Sequence, residues 1–396
     1  MAVHFRSLRK SLGVLIYPVT ASIALAILVS AAGAAYAQTP DSIWKESLDN
    51  IEGSGLGVPI EQVFEEIFKQ EGPSFKDIVQ GILTGKGVKL KDCLKLLLGQ
   101  ALGNISGYAK ILGQIILIGV TISCLNILGQ TMAPDGSSRI AQTSAHMVLV
   151  LVAVLSFRDV LNVSVEAVNG LRTAFFAFIP VVTGMVLASG APVTAGVLYP
   201  TVFGMGTFVS VFILDVAFPL IFTSIAIDLA GNLGGGERVS GVADVLRQTA
   251  FVGMGLLLSA FVGVVAGERA AAGVADGIAL RTAKYMSSTF VPVAGKMVGD
   301  TMDMFFHSLF ALRSAIGLAG SIALIGIVLS PLVKVFSCFV AWRIALALLG
   351  PTCGPQVKRS LQAMAGGVGL LAVVLFATSF IFIICLSLVA QAAKAL

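Results

Sequence analysis

The chain is 396 residues long, 57% hydrophobic and 12% charged, with a formal net charge of +5. A soluble domain averages about 25% charged residues, so this composition excludes an ordinary soluble domain and describes an all-α polytopic membrane protein. The positive excess is too small and too dispersed for a nucleic-acid surface, which needs basic residues gathered on one face.

The 43 glycines suit close helix packing in lipid, where small residues let backbones approach. The cysteines, Cys93, Cys124, Cys338, Cys353 and Cys385, are scattered and form no CxxC pair. They are expected to be small buried side chains, not a disulfide framework or a metal site.

Residues Met1 to Ala37 read as a signal peptide. His4, Arg6, Arg9 and Lys10 form a basic n-region, Leu12 to Val29 an apolar h-region, and Ala35-Tyr36-Ala37 a small-x-small cleavage site. An uncleaved anchor is the alternative, because the h-region is long. Residues 38–105 follow as a short exported helical region. Within it Pro59 to Gln70 is amphipathic, with Ile60, Val63, Phe64 and Ile67 on one face. Ser74 with Asp77 resembles a capping box. Lys89, Lys91 and Lys95 beside Leu94, Leu96, Leu97 and Leu98 suit a helix lying on the membrane.

A polytopic domain is expected over residues 106–396. Its first crossing is Ile111 to Leu128 and its second Ile140 to Phe157, ended by Arg158 and Asp159. Each is close to the roughly 20 apolar residues that cross a bilayer. Val160 to Arg172 mixes apolar and polar residues. Thr173 to Ala230 is too long for one span, and Pro180, Pro192, Pro200 and Pro219 divide it. The expected pieces are Ala174 to Ala188, Val193 to Leu214 and Ala217 to Ala230. Gly231 to Gln248 reads as a loop. Its Gly234-Gly235-Gly236 run lacks the following Lys-Ser/Thr of a phosphate cradle and is expected to be a flexible turn. Further crossings are Gln248 to Ala266, Ile316 to Val333 and Met364 to Ala390. Phe336 to Leu349 suits a short span, a re-entrant piece or an interfacial helix. About seven or eight spans result, by the length rule.

Orientation follows from the exported region, which puts the loop near Arg139 in the cytoplasm. The side of the Arg238 loop depends on whether Thr173 to Ala230 crosses two or three times, and the Lys/Arg bias does not decide it.

The charges gather in a polar segment, 267–315. It carries Glu268, Arg269, Asp276, Arg281, Lys284, Lys296, Asp300 and Asp303. On a helix Val274, Ile278 and Tyr285 share a stripe into which Arg281 also projects, with Lys284 on its flank. Pro292 interrupts, and Lys296 and Asp300 lie one turn apart on a further helix. A solvated surface hairpin is one reading. A partner-docking surface or pore rim formed by Asp276, Arg281, Lys284, Pro292, Lys296 and Asp300 is the other. Ionisable groups within apolar runs, Asp215, Asp228 and Arg343, are functional candidates by their cost in hydrocarbon. The plainer reading puts the two aspartates at helix ends. His146 reads as a hydrogen-bonder between packed helices.

No catalytic constellation is present: no Walker A motif, no HExxH and no paired cysteine ligands. Enzyme activity, a cofactor and a bound metal are therefore not expected. The tetrapeptide Gly-Val-Ala-Asp occurs at Gly241 and again at Gly273; chance or an internal repeat would explain it.

The run Val274 to Tyr285 (VADGIALRTAKY), followed by Phe290 to Lys296 (FVPVAGK), resembles the signature of the stage III sporulation protein AE family. The layout is similar too, from roughly Leu90 to the end. The resemblance implies a membrane subunit of the channel-like complex joining mother cell and forespore, needed for late forespore gene expression during endospore formation. It implies partners as well: a cytosolic secretion-type ATPase and ring-forming proteins of the intermembrane space. The location implied is the mother-cell-derived membrane around the forespore. No catalytic residue is carried over. The alternative is a self-sufficient secondary transporter of a small solute or ion, using the broken spans around Pro192 to Pro219.

Overall fold

A computed structural model describes residues 136–188, 191–234, 241–261, 294–351 and 354–391, with isolated positions before 136 and between 263 and 267. All regular structure among the described residues is helical. Helix α1 runs Gly136–Ala188 and α2 runs Pro192–Val211. A π-helical turn, Phe212–Ala217, joins α2 without a break to α3, Phe218–Gly234. Helix α4 is Gly241–Phe261. Helices α5, Ala294–Leu349, and α6, Pro355–Gln391, complete the bundle. Among the described residues, five uninterrupted helical segments are long and apolar enough to cross a membrane.

The expected breaks are mostly absent. Arg158 and Asp159 do not end a helix: α1 continues through them and is 53 residues long. Its length is about 80 Å at 1.5 Å per residue. The two pieces expected at Ile316 to Val333 and Phe336 to Leu349 are one helix, α5, of 56 residues. Of Pro180, Pro192, Pro200 and Pro219, only Pro192 marks a break: it opens α2 at the first-turn position, where its missing N–H is no loss. Pro180, Pro200 and Pro331 lie inside helices. A proline removes one backbone bond, yet hydrocarbon gives the freed chain no water to bond instead, so the helix persists around it.

Pro219 leaves a larger mark. It cannot donate to the carbonyl of Asp215, four residues back. The Phe218 N–H donates to the Ile213 carbonyl, five residues back. The helix widens by this i→i−5 pattern and continues, so Val193 to Leu214 and Ala217 to Ala230 are one helical segment, Pro192–Leu233.

Helix α5 packs on both α6 and α1, and α6 also packs on α3. Glycines set the register. A β-carbon on Gly320 would lie 2.6 Å from Leu386 Cδ2 of α6 and 3.0 Å from Phe178 Cδ1 of α1. One on Gly369 would lie 2.9 Å from Phe339 Cε2, and one on Gly170 would lie 3.2 Å from Ile327 Cγ2. These contacts run α5 antiparallel to both α1 and α6. Phe157 stacks on Phe222 at 6.2 Å between ring centroids, and Gly206 lies against Phe175, so the α2–α3 segment is antiparallel to α1. Gly253 beneath the Phe212 ring brings α4 back along it. Phe175 meets Phe382, with ring centroids 4.7 Å apart, and Phe157 lies 3.6 Å from the β-carbon position of Gly367, so α1 and α6 run in the same direction.

Gly320 therefore sits where three helices meet. We expect Gly320→Leu to destabilise the detergent-solubilised protein by about 1–3 kcal/mol, the usual cost of overpacking a tight core. Gly184, with nothing within 4 Å of its β-carbon position, should accept Ala with little change. Thermal unfolding of the two variants checks this.

Candidate functional site

The register sorts the helix ends into two groups. At one end lie the start of α1, the end of α3, the start of α4, the end of α5 and the start of α6. There the buried His146 Nε2 and Ser360 Oγ are 3.0 Å apart, a hydrogen bond from α1 to α6. Gly119, from the expected first crossing, abuts Leu349 at the same end. The opposite end holds the close of α1, α4 and α6 and the start of α5. The connection 235–240, with Arg238, thus leaves and re-enters at the same end as Arg139. The connection between α4 and α5, which holds most of the polar segment, leaves and re-enters at the other.

The sequence candidates do not come together. Asp276, Arg281, Lys284 and Pro292 lie outside the described residues. Lys296 and Asp300 fall in the first two turns of α5. Asp215 and Asp228 share one helical segment, 13 residues apart, which is roughly 20 Å along the axis. A direct proton step between them is too long for a hydrogen bond.

Each aspartate has its own setting. Asp228 accepts a hydrogen bond from the Arg247 guanidinium across the α3–α4 connection. The pair is largely shielded, with side-chain exposures of 11% for Asp228 and 21% for Arg247. Arg247 also approaches Asp244 Oδ1 at 3.6 Å. Asp228 thus lies inside α3 and is one half of a clamp that ties α3 to α4 across the glycine-rich connection 235–240. Asp215 is different: it lies mid-helix, exposed, on the π turn. Arg343 is half-buried on α5, its guanidinium 5.2 Å above the Phe339 ring. That contact is a cation–π interaction. Its Nε is buried without a hydrogen-bond partner.

Among the described residues no group of His, Cys, Asp and Glu could hold a metal ion. Cys338 and Cys385 are buried free thiols, whereas Cys124, also free, is exposed against expectation. Arg247 and Ser360 escaped sequence reasoning. Arg247 had a signal, an opposite charge to Asp228 on the far side of a Gly-rich stretch. Ser360 had none, because its partner His146 is 214 residues away.

The family profile described as stage III sporulation protein AE matches residues 73–393. The stage III sporulation protein AE of Bacillus subtilis (strain 168) is 27% identical over 375 residues, 92% of this chain and 93% of the relative. No solved structure matches.

Removing one partner of a buried ion pair strands the other, at about 3–5 kcal/mol, and partial exposure here lowers that figure. We expect Asp228→Ala and Arg247→Ala each to lower stability, and the double variant to cost clearly less than their sum. A coupling of about 0.5–3 kcal/mol in a double-mutant cycle, read by thermal unfolding in detergent, is the expected result.

Proposed function

This chain belongs to the stage III sporulation protein AE family, and on that premise we propose that it is a membrane subunit of a mother cell–forespore channel complex. The complex acts in late forespore gene expression during endospore formation. A sporulation role and a membrane location stand on the family match and the apolar helices. The match over residues 73–393 carries the finer reading. The long apolar helices agree with a subunit that builds part of a membrane assembly.

In this reading residues 1–37 are a signal peptide and 38–105 an exported helical region. Residues 106–396 are the polytopic domain, with the polar segment at 267–315. The partners are a cytosolic ATPase and ring-forming proteins of the intermembrane space, and the site is the mother-cell-derived membrane around the forespore. The end bearing Arg139, Arg238, Lys358 and Arg359 faces the mother-cell cytoplasm, which follows from export of residues 38–105 and not from the Lys/Arg bias, since Arg269, Arg281, Lys284 and Lys296 stand in the segment at the other end. Asp276, Arg281, Lys284, Pro292, Lys296 and Asp300 then face the intermembrane space, where ring-forming proteins are the partners within reach.

A clean deletion in the source organism tests the reading. Vegetative growth should be normal, engulfment should complete, and a late forespore-specific reporter should stay silent. Normal sporulation with a growth or solute phenotype would instead favour a self-sufficient transporter. We also expect Asp215→Asn to leave the reporter active, because a scaffold subunit needs no proton or ion binding by Asp215. A silent reporter with the complex still assembled would favour transport chemistry at the π turn.

A further inference from the structure

One face of α1 changes character halfway along. Its exposed positions read Val148, Leu151 and Leu155, then Arg158, Asn162, Glu166, Asn169 and Thr173. The spacing of three and four residues puts all of these on one stripe of the helix. Asp159, beside the stripe, is exposed too. The polar stretch from Arg158 to Thr173 covers roughly 22 Å of helix. That is most of the thickness of a hydrocarbon core, about 30 Å.

The neighbours at the same height are apolar. The Phe157–Phe222 stack marks the lower boundary, and the Phe175–Gly206 contact marks the upper. Between those levels the α2–α3 segment turns Phe208, Val211 and Val216 outward. Asp215 is its one charge there. Gly253 against Phe212 sets α4 at that level, and α4 exposes Phe251 at 57%, Val252 at 48% and Leu256 at 67%. One slab of the molecule therefore has a perimeter on α2, α3 and α4 that is apolar apart from the exposed Asp215, and a continuous polar stripe on α1. Overhang beyond the bilayer would not produce that asymmetry, because it would free the whole perimeter from its apolar requirement.

We propose that the Arg158–Thr173 face of α1 lines a water-filled path across the membrane, closed on its open side by other subunits of the assembly. Charged side chains on a membrane helix are costly against lipid and are placed toward water or protein. The face carries one cation, Arg158, and two anions, Asp159 and Glu166, with Asn162, Asn169 and Thr173 between them. Such a wall holds water without a strong field of one sign, so it suits hydrated polar solutes of either charge. The proposal rests on the channel reading above and assigns it a lining.

The test uses the full chain in membranes of sporulating cells, with its own cysteines changed to serine. Single cysteines replace Asn162, Glu166 and Asn169 on the stripe, and Phe208, Val216 and Val252 at the same height. Each is reacted with a charged, membrane-impermeant thiol reagent. The stripe positions should react at least about ten-fold faster than the controls, because only a hydrated thiol forms the reactive thiolate. Equal, slow reaction at all six overturns the proposal by putting the stripe against lipid or dry protein. Equal, fast reaction at all six also overturns it, since that level would lie outside the bilayer. If the cysteine-free chain does not support sporulation, the same variants are read in the parent background as excess over the parent rate. The deletion phenotype is measured separately, so a dry stripe with a silent reporter would end this proposal and leave the channel reading standing.

Discussion

In hydrocarbon an unpaired peptide N–H or C=O has no water to turn to, and much of this molecule's form follows from that one restriction. Helices α1 and α5 continue through internal prolines because a break would expose several groups where a proline exposes few. At Pro219 the chain widens into a π turn instead of ending. At Pro180 the Thr183 hydroxyl donates to the Ile179 carbonyl at 2.7 Å and lies 3.2 Å from that of Pro180. Other buried hydroxyls follow suit. Ser164, Ser210, Ser321, Thr378 and Ser379 each donate to a carbonyl four residues back on their own helix.

Polar groups that satisfy themselves leave the joining of helices largely to shape. Lipid tails are as apolar as leucine, so no hydrophobic drive draws helices together, and close van der Waals fit does the work. Hence the pairing of glycines with large side chains on the facing helix: Gly320 with Leu386 and Phe178, Gly369 with Phe339, Gly206 with Phe175, Gly253 with Phe212. Directional contacts then fix particular junctions. His146 with Ser360 joins α1 to α6, and Arg247 with Asp228 ties α3 to α4.

Composition was enough to read the membrane class and the helical content, and the last crossing was legible as Met364 to Ala390 within α6. Helix continuity was not. A hydropathy scan treats Arg158 and Asp159 as a border, yet side-chain polarity does not stop a backbone helix; it only dictates which face must avoid lipid. The same blindness hid the stripe on α1. Its signal was a polar repeat at 158, 162, 166, 169 and 173 inside an otherwise apolar run, a periodicity argument and not an average. Asp215 was legible as an oddity and its π turn in principle from Pro219, four residues on. The mate of His146 was not legible, because local patterns carry no information about contacts so far apart in sequence.

Helix α5 is a single rod of 56 residues, and a rod turns small angles into large displacements. If it tilts by about 5° about one end, the other end moves by about 7 Å over its length of roughly 84 Å. The rod begins within the polar segment and ends at the turn that leads into Lys358 and Arg359. Any two subunits that gripped its opposite ends would be mechanically connected with no relay of side chains between them.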